Sequence, residues 1–190
     1  MNFEIAFELN ELFFAASAQE RRLILLTLEA TAAIASGSDG MAYDPAIGKR
    51  LEAAALSRRP ENFAHHLALA LKIPRRQAER IARDEHGEVL VVAAKALLMP
   101  RDLLYRLLIF VNPAVGQSVV RVHALADLFD EISLEAAAEF VAIWQALHQH
   151  ERSAGKHRPQ FWNDETRARM AITAQRRRPA ARRDEKRDVS

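Results

Sequence analysis

His148, His150 and Glu151 are the densest group of metal-ligating side-chain types in this 190-residue sequence. On a helix, residues i and i+2 point about 200° apart, so both imidazoles cannot reach one ion. Helical metal sites instead set two His at i, i+4 with a Glu between them, or pair Glu-x-x-His motifs. Neither pattern occurs. Glu61 and His65 share the i, i+4 spacing but stand as a single pair. His123 and Asp127 share it too, and a carboxylate can orient an imidazole for base work. No serine in a Gly-x-Ser-x-Gly turn accompanies them, so they read as a surface helix pair. The stretch "GSDGMAYD" lacks the alternating acids and closing Glu of a calcium loop. The few glycines are scattered, which leaves no phosphate-cradling loop. With no cysteine, disulfides, thiolate zinc sites and cysteine nucleophiles are excluded. These residues point to no catalytic group, no cofactor and no metal.

The formal net charge of +2 hides a split. Residues 1–150 carry 15 Lys and Arg against 19 Asp and Glu, a net of −4, while residues 151–190 carry 12 against 6, a net of +6. The second segment is of different material. Polar "ERSAGKHRPQFWNDE" holds the aromatic pair Phe161-Trp162, and large aromatics in a polar linker suggest an anchor that docks on the body or on a partner. "RRRPAARRDEKRDVS" then reads as a disordered charged tail. A basic run such as Arg176-Arg177-Arg178 binds nucleic acid by releasing counterions, or is simply solvated. The candidate partner contacts are therefore Phe161, Trp162, Arg176, Arg177 and Arg178. The expected organisation is a helical domain over 1–150, a linker with the aromatic anchor and a C-terminal helix over 151–178, and a basic tail over 179–190.

The elements are helices throughout. Ala, Leu, Arg and Glu dominate, and these are strong helix formers. A first helix is expected over about 3–16. Ser17-Ala18-Gln19-Glu20 is a capping box for a second one, reaching about 36. Pro45, after an Asp44 cap, Pro60 and Pro74 each fit the first helical position, where the missing N–H costs nothing. Gly87 is expected to close the helix that Pro74 opens. Residues 88–98 and 100–111 are apolar on nearly all sides, so they should sit at the centre of the domain, with Leu104 and Leu108 buried. Asp102 and Arg106 have the favourable order for an i, i+4 ion pair. Asn112-Pro113 is a further cap. Ser118 and Ser133 start two last helices, over about 118–129 and 133–150. The N-terminus lacks the basic residues of an export signal, and the longest uncharged run is too short and polar to span a bilayer, so a cytoplasmic protein is expected.

"LKIPRRQAERI" (71–81) and "LLMPRDLLYRL" (97–107) repeat a proline-punctuated helix start 26 residues apart. That spacing suits stacked helix pairs, with an ordinary irregular bundle as the alternative. The run "DEHGEVLVVAAKALLMPRDLLYRLLIFVNP" (84–113) resembles an uncharacterised bacterial family of helical, HEAT-like domains of unknown function. The resemblance implies an all-α array of short antiparallel helix pairs and supplies no site residue. The expected role is a non-enzymatic protein–protein interaction module. It would work by excluding water between apolar patches, with arginines fixing register. The alternative is a nucleic-acid-associated protein acting through its basic tail.

Overall fold

The computed structural model describes residues 3–32 and 43–156. Phe161, Trp162, Arg176, Arg177 and Arg178, with the linker and tail expectations that rest on them, lie outside the described residues. Ten helices make up all the regular structure among the described residues: α1 (Phe3–Ala15), α2 (Ala18–Ala32), α3 (Pro45–Leu56), α4 (Pro60–Leu71), α5 (Arg75–Ala82), α6 (Glu88–Ala96), α7 (Arg101–Val111), α8 (Pro113–Gly116), α9 (Val119–Glu131) and α10 (Leu134–Lys156). The fold is an all-α helical bundle. α10 runs past the expected end at 150, because Glu, Arg, Ala and Lys over 151–156 sustain a helix despite Gly155. No helix among the described residues is long and apolar enough to cross a membrane.

The starts follow local chemistry. In the capping box the Glu20 carboxylate accepts from Ser17 N–H at 2.8 Å, and Ser17 Oγ accepts from Glu20 N–H at 3.4 Å. The Ser17 N–H and the Ser17 hydroxyl, both donating to that carboxylate, hold the Glu20 carboxyl below the usual glutamate range. Asp44, Asn112, Ser118 and Ser133 each accept a first-turn amide at the starts of α3, α8, α9 and α10. Pro45, Pro60 and Pro113 stand in the first turn as expected.

Pro74 and Pro100 depart from that expectation by one place. Each is the N-cap, extended at φ −59, ψ 142 and φ −65, ψ 146, and its carbonyl accepts the first helical bonds. Two residues before each proline the chain turns left-handed, at Lys72 (φ 55) and Leu98 (φ 54). The next amide then reaches back five residues, Ile73 to Ala68 O at 3.1 Å and Met99 to Ala94 O at 3.0 Å. This is the Schellman end of a helix made without glycine. Ile73 and Met99 are both buried, so each joint is pinned from inside by an apolar side chain. The sequence repeat thus encodes a repeated joint. Arg58 (φ 51) stands in the same relation to Pro60.

Gly87 does not end a helix. α5 stops at Ala82, and Gly87 is the left-handed N-cap of α6 (φ 93), because Asp84 Oδ2 draws in its N–H at 2.7 Å. A Cβ there would come within 2.6 Å of Leu125 Cδ1. Nor do Asp102 and Arg106 pair. α3 packs on α7, and its Glu52 takes the Arg106 guanidinium instead.

α6 is buried along nearly its whole length, and Leu104 and Leu108 of α7 are fully buried. α3 packs on α4 and α7, while α6 and α7 both pack on α9. The α3–α7 and α6–α9 pairings link helices distant in sequence. Trp144 and Phe140 of α10 bring Phe13 of α1 into the core, with the Phe13 and Phe140 rings 4.3 Å apart.

A left-handed lysine costs about 1–2 kcal/mol, against the ~0.5–1 kcal/mol that glycine loses in backbone entropy. Lys72 is exposed and makes no side-chain bond among the described residues. Lys72→Gly is therefore expected to raise stability by about 0.5–1 kcal/mol in urea titration, where a glycine inside a helix would lower it. A loss would show that this joint is not strained.

Candidate partner-binding cleft

Three groups of side chains have the character of a site. The first is a buried charge cluster. Arg21 directly follows the capping box, and its side chain is 2% exposed. It donates from Nε to Ala16 O at 3.0 Å, from Nη2 to Phe14 O at 2.7 Å and from Nη1 to Asp84 Oδ1 at 2.7 Å. Glu88, equally buried, lies 3.7 Å from Arg21 and accepts from Arg121 of α9, which also donates to His86 O. Asn112 donates to Asp84 O at 2.6 Å. Two guanidinium groups therefore balance two carboxylates. The α1–α2 joint, the 83–87 turn, the start of α6, the α7–α8 joint and α9 meet there. Every strong donor is directed at protein, so the cluster fastens elements together. The motif residues Asp84, Gly87 and Glu88 are structural here, whereas Arg21 and Arg121 carry no sequence signal that marks them as their partners.

The second group lies on the surface of α7 and α9. His123 does not meet Asp127. Its Nδ1 is 3.5 Å from Tyr105 Oη, while Asp127 and Asp130 pair with Arg101. Arg101 also donates to Tyr105 Oη, and chiefly that bond raises its pKa. The group is exposed. Glu61 and His65 form no hydrogen bond or ion pair with each other, and His65 lies edge-on to His66. His148 Nδ1 is buried and has no hydrogen-bond partner among the described residues. Among the described residues no three His, Asp or Glu side chains converge on a metal position.

The third group is a cleft of about 420 Å³ between the α3–α4 turn and the α7–α8 joint. Ala54 and Ala55 of α3 and Phe63 of α4 line one side. Ile109, Phe110 and Val111, the end of α7, line the other. Small alanines at the α3 end leave the space unfilled. The opposite side exists because α8 folds back against α7, and only glycine allows that approach. A Cβ on Gly116 would lie 2.3 Å from Ile109 O. Asn112 fixes the same joint by capping α8 and holding Asp84 O.

Arg58 and Arg59 stand at the rim. The left-handed turn at Arg58, with its N–H on Ala55 O at 3.0 Å and Ser57 Oγ on Ala54 O at 2.7 Å, ends α3 and turns the chain into Pro60. Both arginines are exposed, and neither makes an ion pair among the described residues. Arg59 occupies the N-cap of α4 without a side-chain cap bond. The lining contains no carboxylate, imidazole or nucleophile. The cleft offers apolar contact and two cations. A larger cleft of about 620 Å³ beside α5 is lined by Arg76, Arg80 and Arg83, but Glu79, Asp84 and Glu85 interleave with them. There Arg80 is committed to Glu11, whose carboxyl it holds below the usual glutamate range.

Comparison of the chain with protein-family models, with curated proteins and with solved structures finds no match.

Arg21 and Arg22 are neighbours in opposite settings. Arg22 pairs with Glu131 at a surface where both side chains are about 40% exposed. Arg21→Met leaves Asp84 buried without its cation, and Glu88 with Arg121 alone, and should cost about 3–5 kcal/mol in denaturant titration. Arg22→Met should cost about 0–1 kcal/mol. Equal losses would mean that the buried cluster does not fasten the fold.

Proposed function

We propose that this chain is a non-enzymatic helical protein–protein interaction module that takes a partner segment in the α3–α4/α7–α8 cleft. The observation that carries this is an open apolar cleft rimmed by two arginines that make no ion pair among the described residues. Buried apolar contact supplies most binding free energy, and rim charges set orientation and register. The repeated Schellman–proline joint supports kinship with HEAT-like helical domains, whose short helices build such surfaces. A cytoplasmic setting goes with the proposal and is in keeping with a cysteine-free sequence.

A photoreactive residue at position 109, in full-length chain expressed in its source cell, should give a discrete cross-linked species. The species should be lost in Arg58→Glu/Arg59→Glu and absent when the probe sits at Leu69, an exposed position on α4. The same background from both probes would defeat the proposal.

The charge split favours a second reading, association with nucleic acid through Arg176, Arg177 and Arg178. It requires binding of duplex or single-stranded nucleic acid that persists at physiological salt and is lost on truncation after Lys156. Binding that vanishes at that salt is the nonspecific attraction of any cationic tail.

A further inference from the structure

The occupant of the cleft can be narrowed by a second surface of the same unit. α1 buries Ala6, Asn10 and Phe13 against the body, and Ala6 packs with Ile143 and Leu147 of α10. Ile5, Leu9 and Leu12 are left outside, 53%, 40% and 61% exposed. They fall at i, i+4 and i+7, the spacing of anchors on a helix that lies in a groove. The stripe spans about 10 Å along the axis. Exposed Glu4 and Glu8 run beside it. The helix is already folded and held by its opposite face, so docking would order no chain.

We infer that α1 of one copy seats in the α3–α4/α7–α8 cleft of another, so that the chain self-associates head to tail. The inference rests on the cleft being a docking site, as proposed above. Charge decides the pairing. An antiparallel α1 pair would set Glu8 close to its own symmetry mate. Cleft against cleft would do the same with Arg58 and Arg59. α1 against cleft sets acid beside arginine and aliphatic stripe against aliphatic wall. Each surface repels itself and complements the other, so the favourable contact is heterologous. α1 is held on α10, and the cleft is built by α3, α4, α7 and α8. One contact therefore uses neither partner's second surface, and assembly can continue.

Heterologous contact has a signature that symmetric dimers lack. In sedimentation velocity, full-length chain should show a mass that rises with concentration and falls at high salt. Leu9→Asp/Leu12→Asp removes the α1 surface. Ile109→Asp/Arg58→Glu removes the cleft. All four positions are exposed, and circular dichroism confirms that each variant is folded. Each variant alone should be a monomer. Their equimolar mixture should form a dimer and stop there, because one intact stripe then meets one intact cleft. A mixture that stays monomeric, a variant that still associates alone, or a wild-type chain that is monomeric throughout would overturn the inference. The probe at position 109 separates this failure from that of the docking site. Cross-linking to a different protein would sink self-association and leave the site standing. No specific cross-link at all would remove both.

Discussion

The fold depends on the disposition of one buried guanidinium. Arg21 enters the interior from the start of α2 and is met there by two backbone carbonyls and the Asp84 carboxylate. Its neighbours Phe13 and Phe14 lie 5.6 Å and 6.0 Å from it by ring centroid. A guanidinium at this depth is tolerable only because each of its nitrogens finds an acceptor and its charge is matched. Asp84 and Glu88 bring two negative charges, and Arg121 completes the balance from α9. The directional bonds are what matter. Apolar packing between short helices would allow them to slide, whereas a carboxylate that holds Arg21 on one oxygen and Gly87 N–H on the other permits one register.

The proline joints impose the complementary constraint. Helices α3 to α7 run from eight to twelve residues, too short to persist alone in water, so each depends on where the next begins. The left-handed residue before each proline ends one helix abruptly, and the proline starts the next without an unpaired N–H. Using Arg58, Lys72 and Leu98 where glycine would be unstrained costs stability at each turn. It also puts side chains there. At Arg58 this has a consequence for the surface, because that strained turn carries one of the two cations at the cleft rim.

What was legible in the sequence was whatever is decided locally. The capping box at Ser17, the caps at Asp44, Asn112, Ser118 and Ser133, and the burial of Leu104 and Leu108 follow from interactions within a turn or from helical periodicity. The errors at Asp102–Arg106 and His123–Asp127 occur where a partner on another helix prevails, whereas those at Pro74, Pro100 and Gly87 are settled within a turn. Arg106 has Asp102 one turn away but takes Glu52, because α3 lies alongside. Gly87 has the composition of a helix end but is recruited by Asp84 into a helix start. His123 and Asp127 have the spacing of a pair, yet Tyr105 and Arg101 of α7 separate them. Arg21 carries no mark of its burial in "QERRL", since nothing within a turn shows that Asp84 lies opposite. The cleft was illegible for a related reason. It is made by alanines at the end of α3 facing the end of α7 and a glycine in α8, five helices further along the chain, and no local pattern records empty space between them.

The same principle of pairing separates the inside of the molecule from its outward face. Charges within the bundle are matched almost one for one, and several exposed ones are as well, including Arg22 with Glu131 and Arg101 with Asp130. Arg58 and Arg59 depart from that economy, as does the aliphatic stripe of α1 from the polarity expected of a solvent-facing helix. Both departures are on rigid elements. One is on a helix whose opposite face is buried, the other on a turn fixed by three hydrogen bonds to α3. A charged side chain left without a counter-ion beside apolar surface stabilises nothing in the monomer, and an exposed leucine row gains nothing from water. Each gains only when the other, or something with its chemistry, is brought against it. The features that contribute least to this fold are therefore the ones with most to gain from a contact.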